Sequence, residues 1–414
     1  MSDRPDVVVV GAGLVGLCCA RAIAARGRSV LVLDAARAGG GASAGNTGWI
    51  VPSLSTPLAA PGMLRQGLRA AFDPGGALVI RPSLDADWIR WLWQFRRSCA
   101  PQRYRDGVRT LVELNRRTLD AFDALADDGV IFDVHEGGML LVARERGGLE
   151  WFAGMHRELV ALGHGGALER LTPDEARSLE PSLSPTIREA MRTAVDRYVR
   201  PEQLAAGLAT WLRARGVEIR EEVRAERIEP TADGARVVLA IGPIETGAVV
   251  IATGADAPRL VAPLGTRLPI TGAKGYSITL RGTGAAPGQA LYLSDAKLGI
   301  SPYGDELRIA GVFELPGRDR RVDPARVRAL VTGATAYLAD WQPEPFDPTT
   351  GWAGLRPATP DGLPVIGPLR DHPRVFVAAG HGMLGVTLAP ATGELIAGLV
   401  AGDPLSARSR SSER

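Results

Sequence analysis

Lysine is almost missing from this 414-residue chain: Lys274 and Lys297 stand alone among 48 basic residues, and the rest are arginine. The 46 acidic residues bring the formal charge to +2, and no block of like charge is long enough for a nucleic-acid arm, so no nucleic-acid partner is expected. Cysteine is equally scarce. Cys18, Cys19 and Cys99 form an odd set with two neighbours in an apolar segment, which excludes a disulfide framework and fits a reducing cytosol, the expected location. The five histidines, His135, His156, His164, His372 and His381, show no ligand spacing, so no metal site is expected. One long apolar run exists, Val7 to Ala25, but three patterned glycines and Arg21 interrupt it. The MSDRPD ahead of it lacks the net positive charge of a secretory signal, so the run reads as buried in protein. What remains is ordinary globular composition, 45% hydrophobic and 23% charged, at a length that predicts two or three domains.

The β-branched run Val7 to Val10 predicts a strand, followed by a glycine turn, a helix from about Leu14 to Arg26 closed by Gly27, and a second strand from Ser29 to Asp34. A small-residue loop at 37–53 leads into a helix-rich region at 61–128, a hairpin-like stretch at 130–143, and a helical pattern over 174–216. Short strands then succeed one another from Gly216 to Phe313. A helix at 323–339, a buried strand at 375–379 and a helix at 386–401 complete the pattern, and the polar tail 405–414 is expected to be disordered.

Gly11-Ala12-Gly13-Leu14-Val15-Gly16 is G-x-G-x-x-G placed after a strand and opening a helix. Gly11 permits the turn, Gly13 admits a pyrophosphate to the backbone, Gly16 lets helix meet strand, and the helix N-terminus offers free N–H groups. Asp34, at the end of the second strand, is placed to accept from a ribose hydroxyl. This half suits FAD and NAD alike. Three more glycine-bearing turns, at 39–48, around Thr253-Gly254 and at 378–385, offer the many backbone contacts that a large flat cofactor needs, whereas nothing reads as a nicotinamide half-site.

These segments, with GASAGNTGWIVPS, VVIATGADAP, ITGAKGYS and GLRPATPDGLPVIG, resemble the FAD-dependent D-amino-acid oxidoreductase superfamily over about Asp6 to Gly402. The closest resemblance is to bacterial D-amino-acid dehydrogenases of the small-subunit type, and the next to glycine and sarcosine oxidases. It implies an α/β (α+β) fold of the D-amino-acid oxidase and glutathione-reductase kind: a Rossmann-like, doubly wound FAD-binding domain at 1–57, 174–268 and 345–404, and a β-rich substrate domain at 58–173 and 269–344. It implies FAD contacts from Gly11, Ala12, Gly13, Leu14, Val15, Gly16, Asp34 and Ala35, from Ala42, Ser43, Asn46, Thr47 and Gly48, from Ala225, from Ala252, Thr253 and Gly254, and from Gly382, Met383, Leu384 and Gly385. Related sarcosine oxidases attach flavin through a cysteine before the segment matching RPATPD. This chain has Gly354-Leu355 there, so the FAD is expected to be non-covalent.

The resemblance also makes Arg356 the anchor of a substrate carboxylate, which a guanidinium fork grips bidentately. His381 is placed beside the flavin as a catalytic candidate or a brace for its turn, and Trp49 over the substrate. Tyr276, Tyr292 and Tyr303 are candidates for a second carboxylate contact or a lid. Met383 stands where glycine oxidases carry a second arginine, which speaks against glycine oxidase proper. The implied reaction is hydride transfer from the α-carbon of a D-amino acid, D-proline and hydroxyproline types included, to flavin N5, with electrons passed on to a quinone or other acceptor. An O₂-using glycine or sarcosine-type oxidase, and an FAD-bearing subunit inactive without its partner, are the alternatives; the oligomeric state is open. Finally, Asp85 to Arg105 puts Trp88, Trp91, Leu92, Phe95 and Cys99 at helical spacing beside five arginines, the pattern of a core helix or of one that meets a membrane surface peripherally.

Overall fold

The computed structural model describes residues 4–64, 67, 76–317 and 319–404, so the expected tail lies outside the described residues. A six-stranded sheet runs in the spatial order Glu218–Arg220, Val30–Leu33, Val7–Val10, Ala248–Ile251, His372–Ala379, Val365–Leu369. Its first five strands are parallel and the last pair is antiparallel. Strands buried on both faces need covers on both. Helices Leu14–Ala25, Pro201–Ala214 and Gly385–Ala401 form one apolar layer, while the meander Ala225–Thr231, Gly234–Leu239, Gly242–Thr246 belongs to the layer on the other side. Arg21, inside the apolar run, pairs with Glu394 at 2.8 Å and with Asp128, which is how the first helix carries a buried cation.

A second, 10-stranded sheet is centred on Thr271–Thr283, Glu306–Leu315, Leu298–Tyr303 and Ala290–Leu293, and it carries helix Pro324–Thr335 on its own core. The structure corrects several expectations here. The 130–143 stretch is not a hairpin, because Val134–His135 pairs with Arg197–Val199 while Met139–Ala143 joins the large sheet. The 174–216 stretch is not continuously helical: strands Glu189–Thr193 and Arg197–Val199 separate helices Pro173–Leu179 and Pro201–Ala214. Strands Glu189–Thr193 and Trp352–Ala358, expected with the nucleotide-binding part, pair into the large sheet. The second of these pairings aims the chain around Arg356 at the junction of the two sheets. The helix expected over Asp85 to Arg105 is two helices, Ala86–Ser98 capped by the Asp85 carboxylate and Pro101–Asn115 opened by proline.

Candidate active site

Strand Val7–Val10 ends at Gly11, whose φ of 107° lies in the left-handed region. A Cβ at Gly16 would stand 1.8 Å from the Gly11 carbonyl oxygen, so only glycine lets the first helix approach this turn. The Asp34 carboxylate is set by two backbone donors, Ala12 N at 2.6 Å and Ala36 N at 2.8 Å, with lone pairs left for a hydroxyl. Ser43 Oγ accepts from Leu14 N at 2.9 Å, tying the small-residue loop to the helix start. That helix has no side-chain cap at Gly13 and no acidic residue in its first turn, which leaves its positive end open to an anion. Thr253 supplies an independent sign of a missing partner. Its buried hydroxyl has no hydrogen-bond partner among the described residues and its residue lines the same cavity. Carboxylate, open helix end and orphan hydroxyl together fit the ribose and diphosphate of a dinucleotide.

The cavity measures about 700 Å³ and extends from Asp34 and Ala225 to the strands bearing Val312 and Arg356. Among the expected contacts, Gly11, Gly13, Val15, Asp34, Ala35, Ala42, Ser43, Asn46, Thr47, Ala225, Ala252, Thr253, Gly254, Gly382, Met383, Leu384 and Gly385 line it, as do Trp49, Tyr276, Arg356 and His381. Ala12, Leu14, Gly16, Gly48 and Tyr303 are not among the lining residues. Ala12 and Leu14 act through their amide groups on Asp34 and Ser43, and Gly16 through its lack of a side chain. Tyr303, expected near the substrate, instead braces the loop: its hydroxyl donates to the Thr47 carbonyl at 2.8 Å and lies 3.1 Å from that of Val199.

Arg356 is a cation without a counter-charge. Nη1 donates to the Val312 carbonyl at 3.0 Å and Cζ lies 5.7 Å from the Phe313 ring centre, yet no carboxylate among the described residues pairs with it. Burial lowers its pKa from 12.5 to about 10, and the guanidinium remains charged at neutral pH. Gly275, on the neighbouring strand, makes its position available: a Cβ there would stand 1.9 Å from Nη1. Sequence reasoning quoted the KGYS segment but passed over this glycine, since strand register decides which residue faces Arg356. Trp49 is fixed by Nε1 donating to Ser301 Oγ at 2.8 Å.

His381 is buried, with Nε2 3.0 Å from Thr392 Oγ1, and burial lowers its imidazole to about 4. It is therefore neutral at physiological pH. The unfolded chain takes up this proton near 6.5, so between 6.5 and about 4 the folded state binds fewer protons and loses stability as pH falls. Asp196, whose carboxyl burial raises to about 6, works with the opposite sign, so the comparison must isolate His381. His381→Asn is expected to remove about 2 kcal/mol of the destabilisation that wild type suffers between roughly pH 7 and 5. Urea unfolding of both proteins across that range checks it, and parallel stability curves would contradict it.

Among the described residues no group of three or more His, Cys, Asp or Glu side chains could hold a metal, and no helix is long and apolar enough to cross a membrane. A family model described as FAD dependent oxidoreductase matches residues 6–399. A D-amino acid dehydrogenase of Cereibacter sphaeroides is 33% identical over 409 residues, covering 96% of this chain and 92% of the relative. One from Paramagnetospirillum magneticum is 34% identical over 420 residues, covering 96% and 95%. Among solved structures, glycine oxidase from Geobacillus kaustophilus superimposes with a TM-score of 0.74 at 24% identity, covering 97% of this chain and 96% of its own. Iminodiacetate oxidase from a Chelativorans species gives 0.73 at 22%, covering 96% of each. Both structures share the fold.

Proposed function

Since the chain belongs to the FAD-dependent oxidoreductase family, we propose that it oxidises the carbon–nitrogen bond of an amino acid, a D-amino acid or a D-proline or hydroxyproline type, and passes the electrons to a quinone or similar acceptor. The observation that carries this reading is Arg356, a partly buried guanidinium at the wall of the dinucleotide cavity with no acidic partner among the described residues. A cation desolvated without compensation is costly, and a ligand carboxylate removes the cost. The relatives named D-amino acid dehydrogenase support the same substrate.

Bound FAD would supply the hydride acceptor. The protein binds and orients: Asp34 and the start of the first helix hold the nucleotide end, and the fork of Arg356 fixes the substrate carboxylate. Trp49, pinned through Ser301, limits how the α-carbon can turn. His381 braces its glycine turn through Thr392 and, being neutral, adds no charge beside the reacting groups. The test is chemical truncation. Removal of the carboxylate from the best amino-acid substrate should lower flavin reduction at sub-saturating concentration by about 100-fold or more. An amine that reduces the flavin as well as its parent amino acid would contradict the anchor.

The acceptor side is read from helix Ala86–Ser98. Trp88 and Trp91 are buried beside Leu315 and Ala358, and Trp91 stacks on Phe95 at 5.3 Å, so that stripe belongs to the core. Ile89 and Trp93, at 52% and 53% exposure, face outward, with Leu84 fully exposed ahead of them and Arg96, Arg97 and Arg103 alongside. An apolar tip among arginines supports peripheral contact with an anionic membrane, where a quinone would reside. Trp93→Ser is expected to weaken co-sedimentation with anionic vesicles at low salt several-fold. Failure of the wild-type protein to bind such vesicles would contradict this part.

A further inference from the structure

We infer that the amino acid taken by this site carries a bulky apolar side chain, aromatic above all, rather than a small or cationic one. The inference rests on the reading of the cavity as an amino-acid site and concerns the aromatic part of its wall. Next to the anchor stand Phe313 and, paired with it in register, Leu78. Further along the cavity, Trp49, Tyr292, Phe152 and Trp151 form a continuous edge-to-face series, with ring centres 6.1, 5.1 and 4.8 Å apart. Phe152 and Met155 are 5% and 4% exposed, so this wall is held by the core beneath it. Aromatic rings in edge-to-face array extend their packing to one more ring or branched chain, and a thioether conforms to it. A methyl group would leave most of this surface uncovered.

Charge sharpens the choice. The acidic residues that line the cavity are Asp34 and Asp256. Asp34 is occupied by backbone amides at the ribose position, and Asp256 lies 3.7 Å from Arg320. Neither stands among the aromatic residues, so nothing there compensates an arginine or lysine side chain. Lys297 lines the cavity as well; partial desolvation lowers its ammonium's pKa, but the residue stays largely open to solvent, where pairing with a substrate carboxylate is screened. Tyr292 adds a hydroxyl with no hydrogen bond among the described residues, which leaves room for a ring bearing a polar substituent.

The test uses the FAD-loaded full-length protein and rapid anaerobic mixing, with rate of flavin reduction divided by half-saturating concentration as the readout. Phenylalanine, tryptophan, leucine, alanine, glycine, arginine and glutamate are compared in whichever enantiomeric series reduces the flavin. Phenylalanine is expected to exceed alanine by about tenfold or more and arginine by about 100-fold. Phe152→Ala should shrink the phenylalanine-to-alanine ratio about tenfold, with FAD content and thermal midpoint measured alongside; if that variant loses FAD, Phe152→Leu takes its place and should shrink the ratio less. Preference for alanine, glycine, arginine or glutamate overturns the inference and leaves the oxidation of amino acids standing. So does an unchanged ratio in an FAD-loaded Phe152 variant. Reduction by none of these overturns the inference, and if proline and hydroxyproline also fail to reduce the flavin, the oxidation of amino acids falls with it.

Discussion

Arg356→Ala should bind FAD like wild type and require about 100-fold more amino acid for half-maximal flavin reduction, a loss of ~3 kcal/mol in substrate binding. The direction follows from the surroundings of the guanidinium: its fixed partner is the Val312 carbonyl, and no acid among the described residues opposes it. Deletion therefore breaks no internal ion pair, and the scaffold loses little. Stability should stay near wild type or rise slightly, since a partly buried charge without a counter-ion is removed. Arg356→Lys should fall between the two, because an ammonium keeps the charge and loses the planar fork. A half-saturating concentration that stays put in Arg356→Ala would place the carboxylate elsewhere in the cavity.

Gly275→Ala should reproduce much of that defect without touching the arginine. The added Cβ would stand 1.9 Å from Nη1, 2.4 Å from Cζ and 2.5 Å from Nη2, so the guanidinium must swing away. The obstacle is the far end of a flexible side chain, not backbone, so the fold can absorb the change by moving Arg356. An anchor displaced by an ångström or more holds the α-carbon in the wrong place, and a loss of about tenfold or more in reduction efficiency is expected. Thermal unfolding should move little. Steady-state kinetics and a melting curve on the same preparation check this pair of outcomes. A large fall in stability with unchanged kinetics would mean that the strand, rather than the arginine, gives way.

The proposed nucleotide end is legible in the chain because its chemistry is local. Gly11, Gly13, Gly16 and Asp34 lie within one strand-helix-strand unit, whose strands and helix form where the sequence pattern predicts them. The rest depends on which strands lie side by side. Gly275 meets Arg356 through the pairing of Thr271–Thr283 with Trp352–Ala358, across a long stretch of intervening chain. Tyr303 and Tyr292 look alike in sequence, each in or beside a short apolar run, but Tyr292 lines the cavity while Tyr303 has its hydroxyl engaged by the carbonyls of Thr47 and Val199. Strands Glu189–Thr193 and Arg197–Val199 were hidden because each is short and flanked by stronger helical patterns, and tertiary pairing overrides local preference. The stacked aromatics of helix Ala86–Ser98 show the same limit. Periodicity finds a face with Trp88, Trp91 and Phe95, and packing alone shows that this face is covered while Ile89 and Trp93 remain outside.

The most direct test of the account is the visible flavin band of the purified, FAD-loaded protein under anaerobic conditions. It is followed during addition of D- and L-amino acids, D-proline, hydroxyprolines, glycine and sarcosine. The account predicts a yellow protein bleached by at least one of these amino acids, with reoxidation on re-admission of air slow if a quinone is the natural acceptor and fast if oxygen is. A protein that binds no flavin, or a yellow one that none of them bleaches, would contradict it.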